Sequence, residues 1–322
     1  MLGVDDLPIP VPAAGEIVIR VKAATTCGTD LKAWRRGHPQ IPMPGPLGHE
    51  YSGIVEFAGA GAKFAVGDAV MGVHSAPCGA CYWCRRDQFN LCESIMETKV
   101  LGAYAEYLLV PQRIADVNVF LKPESLPFTE AALLEPLSCV AQGVMELQQS
   151  LGTAPQTALV IGPGAIGLMF GAMLKQLGWD VTVAGRNPER LAIGAELGLQ
   201  TVALTNLQVP QPGFDVVIEC TGQVEVWERS IDHVRRGGIL MLFGGPPGGT
   251  RVSYDTHRLH YDQITLMSPF HFGPPAVRVA YDALTSGLNL APLITGTRTL
   301  DQAEATFQDL AAGRGVKYAF LP

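Results

Sequence analysis

Charge is scarce in this chain. Asp, Glu, Lys and Arg make up 16% of its 322 residues and sum to a net charge of −7, against a soluble average of roughly 25% charged. Disordered chains combine low hydrophobicity with high net charge, and 48% apolar residues exclude that class here. No Lys/Arg-rich block is present, so the basic stripe of a nucleic-acid binder is missing and no nucleic-acid partner is expected. The longest uncharged run, Leu147 to Leu174, is broken by Pro155, Pro163 and five glycines, a poor membrane helix. The opening Met-Leu-Gly-Val-Asp-Asp lacks the basic and then apolar order of a secretion signal. No membrane partner and a cytoplasmic location are therefore expected. An odd count of seven cysteines argues against a disulfide framework. Internal repeats and low-complexity segments are also lacking.

Glycine and proline are plentiful, 36 and 24, and follow no collagen period. They punctuate short strands. Residues 16–24 alternate as a half-buried strand does, and Ser52–Phe57, Ala69–Val73 and Tyr104–Val110 are further candidates. An all-β unit over about the first 125 residues follows. The pattern then changes to helix (Thr129–Leu151), strand (Thr157–Ile161), helix (Ala165–Leu177), strand (Val181–Val183) and a helix opened by Asn187-Pro188. Phe214–Glu219 and Ile239–Phe243 are two more buried strands. Strand alternating with helix predicts a parallel sheet. Beyond about residue 268 the pattern is mixed, with a helix near Pro275–Thr285.

Four of the cysteines, Cys78, Cys81, Cys84 and Cys92, fall in a Cys-x2-Cys-x2-Cys-x7-Cys run. Four thiolates on one loop suit a closed, structural zinc site. An iron–sulfur cluster competes, but the ferredoxin pattern places its fourth cysteine after three residues, followed by Pro, where this chain has seven residues and then Glu93. A second set of donors is scattered: Cys27 in Cys-Gly-Thr-Asp, His49 and Glu50 in Gly-His-Glu, and Glu135 in Leu-Glu-Pro. A thiolate, an imidazole and carboxylates suit a catalytic zinc with an open position. Singly, each could equally be a packed core residue or a helix cap.

Gly162-Pro-Gly164-Ala-Ile-Gly167 follows a predicted strand and opens a predicted helix. In that context it is a dinucleotide fingerprint, with the diphosphate at the helix N-terminus. The end of the next strand, Ala184-Gly185-Arg186-Asn187, has no carboxylate for a ribose 2′-hydroxyl. Arg186, with Arg190, instead suits the 2′-phosphate of NADP, which is favoured over NAD.

Taken together these residues resemble the zinc-containing medium-chain dehydrogenases, particularly the sorbitol, L-threonine and polyol dehydrogenase branch. The match runs from Pro-Ala-Ala-Gly-Glu16-Ile-Val-Ile-Arg-Val through Cys27-Gly-Thr-Asp, Gly48-His49-Glu50, the four cysteines, Gly102-Ala-Tyr-Ala-Glu-Tyr107, Glu135-Pro136 and the glycine loop to Asp215-Val-Val-Ile-Glu-Cys-Thr-Gly222. The resemblance implies a two-domain α/β chain: a GroES-like β-barrel catalytic domain over 1–130, with the structural zinc lobe at 78–92, a Rossmann cofactor domain over 131–267, and a return to the catalytic domain over 268–322. It implies reversible hydride transfer between a secondary alcohol or polyol and NADP(H), in a homodimer or homotetramer. Cys27 and His49 become ligands of a catalytic zinc. Glu50 and Glu135 both become candidates for its next position, because the family divides between them. Thr29 matches the hydroxyl that starts a proton relay, and Lys32 stands where histidine is common. Gly162, Gly164, Ile166, Gly167, Gly185, Arg186, Arg190 and Thr221 become cofactor contacts. Cys139 lies near where the family packs a small residue against the nicotinamide. Members usually carry an extra strand before the Pro-rich segment, which here begins almost at once. Two other readings stay open: a zinc-free quinone or enoyl reductase, and a zinc- and NADPH-binding sensor or structural protein. Arg258, with His257 and His260, forms a small basic group suited to an anionic substrate or, as a simpler account, to surface or subunit contacts. Trp34, Met96 and Phe270 are equally pocket or core residues.

Overall fold

The alternating segment at residues 16–24 becomes β1 (Ile17–Thr25), the hub of a seven-stranded sheet. The structure, a computed structural model, describes residues 2–154 and 156–322, so Met1 and Pro155 of the uncharged run lie outside the described residues. The chain divides into two compact units. The first comprises residues 1–139, 271–287 and 294–322; the second comprises 140–270 and 288–293.

In the first unit β1 is followed by α1 (Gly28–Arg36), β2 (Tyr51–Ala58), β3 (Ala69–Gly72), β4 (Tyr107–Val110), α2 (Gln112–Asn118), β5 (Val119–Leu121) and α3 (Phe128–Ala131). Ile17, Ile19 and Val21 of β1 pack with Tyr51, Val55, Val70 and Val110 in one core cluster. Residues 2–12 form no strand. The single helix expected over Thr129–Leu151 is two: α3 stops, and α4 (Leu134–Leu151) begins after Ala132 and Leu133. The reason is Pro136. Continuing α3 through it would set the proline ring against the Ala132 carbonyl, whereas in the first turn of a new helix its missing N–H costs nothing. Glu135 thereby lands in the first turn of α4.

The second unit is β6 (Thr157–Ile161), α5 (Ala165–Gln176), β7 (Asp180–Gly185), α6 (Pro188–Glu196), β8 (Gln200–Ala203), β9 (Phe214–Glu219), α7 (Val224–Ser230), β10 (Val234–Leu242), α8 (Thr256–His260) and β11 (Thr265–Met267). All its strand pairs are parallel, in the order β11-β10-β9-β6-β7-β8. The strand order reverses between β6 and β9, the topological switch point where open α/β sheets bind ligands. The chain then supplies α9 (Pro274–Thr285), β12 (Ile294–Arg298), α10 (Ala303–Ala311) and β13 (Lys317–Phe320) to the first unit. There β13 pairs with β1 and β12 with β13. Sequence patterning missed β8, β11, β12 and β13, which are three to five residues long, too short for a period to declare itself.

Candidate metal centres and nucleotide loop

Cys27 is the N-cap of α1, its sulfur accepting from the Thr29 amide at 3.4 Å. His49 and Glu50 lie directly before β2. Gly48 precedes them with φ +90°, and a Cβ there would stand 2.6 Å from the Tyr104 ring, so glycine is obligatory. One turn into α1, Asp30 is completely buried. Its carboxylate accepts from Tyr104 Oη at 2.9 Å and from the Gly48 amide at 3.4 Å, and lies 3.2 Å from His49 Nδ1. Burial opposes charge on His49, but Asp30 and Cys27 outweigh it and raise its pKa well above the ordinary value. Burial likewise raises Asp30's pKa. The His49, Tyr104 and Gly48 contacts overcome that and leave it lowered. A carboxylate on one imidazole nitrogen frees the other for a metal and fixes the ring's orientation.

Donor atoms of Cys27, His49 and Glu50 lie within 4.8 Å of one another. Tetrahedral zinc with bonds of about 2.0–2.3 Å needs donors about 3.3–3.8 Å apart, which a small adjustment of these three provides. Glu50 is also held from behind. Its carboxylate takes the Thr25 hydroxyl and the ammonium of Lys317, which lies 2.7 Å from Oε1 and also donates to the Thr26 carbonyl at 2.7 Å. Lys317 and Glu50 are both buried. Burial and nearby Glu135 raise the Glu50 pKa, with Lys317 pulling the other way.

Removing that cation leaves a buried carboxylate without its partner. Lys317→Met is expected to lose about 3–5 kcal/mol of stability, measured by urea unfolding. Glu50→Gln in the same chain should restore part of the loss. A loss in the double variant equal to the sum of the Lys317→Met and Glu50→Gln losses would show that the pair is not coupled.

Glu135 stands apart from the three-donor group. Its Oε1 lies 3.0 Å from His74 Nδ1, and burial raises its pKa. The His74 ring bridges His49 and His271, with centroids 5.1 and 5.3 Å away. His271 Nε2 meets the Ser75 hydroxyl at 2.7 Å. Burial and the adjacent imidazoles hold both rings neutral, His74 well below the ordinary value and His271 down to about 3. Sequence reasoning passed over His74, His271 and Lys317. Each is isolated in the sequence, and only the fold joins them to the site. Cys139, three residues beyond Pro136 in α4, has its thiol pKa pushed well up by burial.

Sulfurs of Cys78, Cys81, Cys84 and Cys92 also lie within 4.8 Å of one another. Backbone amides point at them: Ala80 and Cys81 donate to Cys78 at 3.4 and 3.3 Å, and Cys78 donates to Cys92 at 3.3 Å. The amides of Cys84 and Glu93 lower Cys81 to about 6, while burial pushes Cys84 up to about 12. A bound cation removes that second cost, since a coordinating thiol gives up its proton. Met96 packs on this lobe and Trp34 packs edge-on to Phe307, so both have core roles; Phe270 is exposed.

At the switch point, Gly162 has φ +110°, and a Cβ on Gly167 would stand 2.1 Å from the Gly162 carbonyl oxygen. Both must be glycine for strand, loop and helix to meet. Space beside Gly164 is open. Gly164 caps α5 without a side chain, leaving helix N-terminal amides to an anion. Thr221 borders the loop, its Cγ2 methyl next to Gly162, held by the buried Glu219, which accepts its amide at 2.6 Å and its hydroxyl. Gly185 has a purely steric account, because a Cβ would meet the Pro163 ring at 2.2 Å. Arg186 is exposed, 3.5 Å from Gln223 Oε1. Asn187 caps α6 through the Arg190 amide, and Ile166 lies in the first turn of α5. Arg258 donates to the Ile231 and Val234 carbonyls and pairs with Asp262. Its role is to tie the second unit together.

A three-donor metal site and a fingerprint loop at a sheet switch point define a metal- and dinucleotide-dependent oxidoreductase. Residues 13–119 match the alcohol dehydrogenase GroES-like domain and residues 129–312 the glucose dehydrogenase C-terminus. The chain belongs to the zinc-containing medium-chain dehydrogenases. It is 29% identical to an L-threonine 3-dehydrogenase of Deinococcus deserti, over 97% of this chain and 93% of that one. A zinc-binding dehydrogenase of Sinorhizobium meliloti, solved with NADP bound, superposes with a TM-score of 0.87 at 29% identity, covering 98% and 94% of the two chains. Alcohol dehydrogenase of Thermus sp. ATN1 superposes at 0.85 with 27% identity, over 98% and 95%.

Proposed function

We propose that this protein is a zinc-dependent dehydrogenase that reversibly oxidises a secondary alcohol or polyol with NADP. The observation that carries the reading is the convergence of Cys27, His49 and Glu50 in one buried group. The first unit is the catalytic domain, with Cys78, Cys81, Cys84 and Cys92 holding a structural zinc. The second is the cofactor domain. When bound, the catalytic zinc would supply a Lewis acid to the hydroxyl oxygen and the nicotinamide would supply a hydride acceptor.

The chain's own part is to hold and orient. Asp30 fixes the His49 ring. Lys317 and Thr25 fix Glu50. Glu135, turned toward His74, is the carboxylate available to alternate with Glu50. The Thr29 hydroxyl, two residues from Cys27, takes the substrate hydroxyl's proton toward solvent. Gly162, Gly164 and Gly167 admit the diphosphate, and the α5 amides and Ile166 meet it. Thr221 borders the nicotinamide side of the loop. Arg186 and Arg190 hold the 2′-phosphate. An odd count of seven cysteines, five of them assigned here to zinc, suits a reducing cytoplasm, and the expected assembly is a homodimer or homotetramer.

The test is nicotinamide absorbance over a panel of polyols, simple secondary alcohols, L-threonine and sugar phosphates, each with NADP and with NAD. Turnover of at least one member by the zinc-loaded protein supports the reading. Silence across the panel in protein carrying two zinc ions per chain counts against it. Arg186→Asp should lower kcat/KM for NADP by about 10–100-fold, the equivalent of one charge-assisted phosphate contact, and leave NAD unharmed. Equal losses with both cofactors would remove Arg186 from the 2′-phosphate site.

A further inference from the structure

The chain is acidic overall, yet one face of its first unit gathers unpaired cations. Lys32 and Arg36 are exposed four residues apart on α1, the helix whose N-cap is Cys27. Residues four apart share a helix face. At the C-terminus of α1, Gly37 turns the chain at φ +78°, and a bridge between His38 and Ile41 closes the turn that follows two residues beyond Arg36. His38 Nδ1 accepts the Gln40 amide at 3.2 Å, which leaves its Nε2 as a donor. Lys99 joins from another segment. Its ammonium donates to the Met96 carbonyl at 2.8 Å, and the next residue, Val100, donates its amide to the His74 carbonyl at 2.7 Å. The segment carrying Lys99 is thus tied to the histidine beside the metal group.

None of Lys32, Arg36, His38 and Lys99 has a carboxylate partner among the described residues. The nearest acid on the same helix, Asp30, is buried and engaged by Tyr104, Gly48 and His49. The helix dipole accounts for Arg36, in the last turn of α1. It does not account for Lys32 at mid-helix or for Lys99 on a loop. Leu101, two residues beyond Lys99, packs against the cluster of Ala33 on α1 and Ile41, which sets the Lys99 segment beside the helix and the His38 turn, and burial, then Lys32, Lys99 and Arg36, push His38 below the ordinary imidazole range. Clustered cations with spare donors attract and orient anions, and these stand on the helix capped by Cys27 and on the segment tied to His74.

We propose that Lys32, Arg36, His38 and Lys99 form a docking rim for an anionic group, a carboxylate or a phosphate monoester, carried by the hydroxyl substrate. The proposal rests on the reading of Cys27, His49 and Glu50 as the reaction centre. It narrows the substrate from alcohols in general to hydroxy acids or sugar and polyol phosphates.

The test has a binding arm and a turnover arm, both on zinc-loaded, NADP-saturated protein. Line broadening of inorganic phosphate, and separately of acetate, is followed by NMR for the wild type, for Arg36→Gln with Lys99→Gln, and for the charge-preserving Arg36→Lys with Lys99→Arg. Comparison between proteins cancels anion held at the nucleotide site. Broadening that is lost in the neutral variant and kept in the charge-preserving one supports the rim. Stronger phosphate than acetate binding points to a phosphate ester, and the reverse to a carboxylate. Equal broadening in all three proteins overturns the proposal.

In the turnover arm, matched pairs are compared: sorbitol with sorbitol 6-phosphate, and 2-butanol with 3-hydroxybutyrate. The anionic member of a pair should be favoured in kcat/KM by about 10–100-fold. That preference should collapse in the neutral variant and at an ionic strength of about 1 M, with turnover of the neutral member unchanged. A preference untouched by the variant overturns the rim while the dehydrogenase reading stands. Anion binding lost in the variant, with no alcohol oxidised by any of the proteins, leaves the rim standing and overturns the dehydrogenase reading.

Discussion

Cys27→Ala is expected to lower kcat/KM by about three orders of magnitude or more, with zinc content falling from two ions per chain to one. The size follows from what is removed. Polarisation of the hydroxyl oxygen is worth several kcal/mol of transition-state stabilisation, and each 1.36 kcal/mol is a factor of ten in rate. The thiolate is the softest donor of the three-residue group. The remaining imidazole and carboxylate make a far poorer zinc site. Stability should change little, because Cys27 is only partly buried and its main local bond is the cap to Thr29. His49→Ala should match it in activity but cost more in stability, since it leaves the buried Asp30 without the imidazole 3.2 Å away. Metal analysis, steady-state kinetics and urea unfolding together check this. A Cys27→Ala protein with full activity and one zinc per chain would remove the three-donor group from the reaction.

That centre was only partly legible beforehand. Cys27, His49 and Glu50 occur in short motifs, and the structure brings them together. Lys317 shows where sequence reading stops. It lies 267 positions from Glu50, on a four-residue strand, and nothing local distinguishes a lysine that will be buried from one that will be solvated. Pairing of β13 with β1 decides the matter, and that pairing is a tertiary fact. His74 and His271 are hidden for the same reason. Helix α4 illustrates a different failure, in which apolar periodicity ran across Pro136 while the proline divided the segment. In the second unit the reading was fuller, because β6, its loop and α5 are contiguous and each glycine has a local steric demand. Arg258 went the other way. It is a conspicuous charge near a domain return, yet the fold uses it to hold two backbone carbonyls and Asp262.

Cys84→Ala is expected to be the most destabilising of the single changes in the four-cysteine lobe. The lobe around the four cysteines has little to hold it besides the zinc proposed for it. Its apolar cluster consists of the cysteines themselves with Ile95, Phe89 and Met96, and its regular structure amounts to two single-turn helices, Cys84–Arg86 and Phe89–Leu91. Structural zinc in small peptide domains contributes apparent binding energies of about 10–16 kcal/mol, of which a lobe anchored at both ends needs only part. Cys84 is the most consequential of the four. It is buried, its sulfur lies 3.5 Å from Cys81 and 3.9 Å from Cys78, and its thiol is pushed up to about 12. Without zinc it returns to a neutral thiol, and the sulfurs around it lose the cation that holds them together. A lowering of the melting temperature by more than about 5 °C is expected, the equivalent of well over 1 kcal/mol in a chain of this size. Limited proteolysis should cut between residues 78 and 100 in the variant and spare the second unit. The catalytic zinc should remain, so the two ions can be told apart by which variant loses which. A Cys84→Ala protein that keeps two zinc ions per chain and an unchanged melting temperature would mean that this lobe stands on its side chains alone.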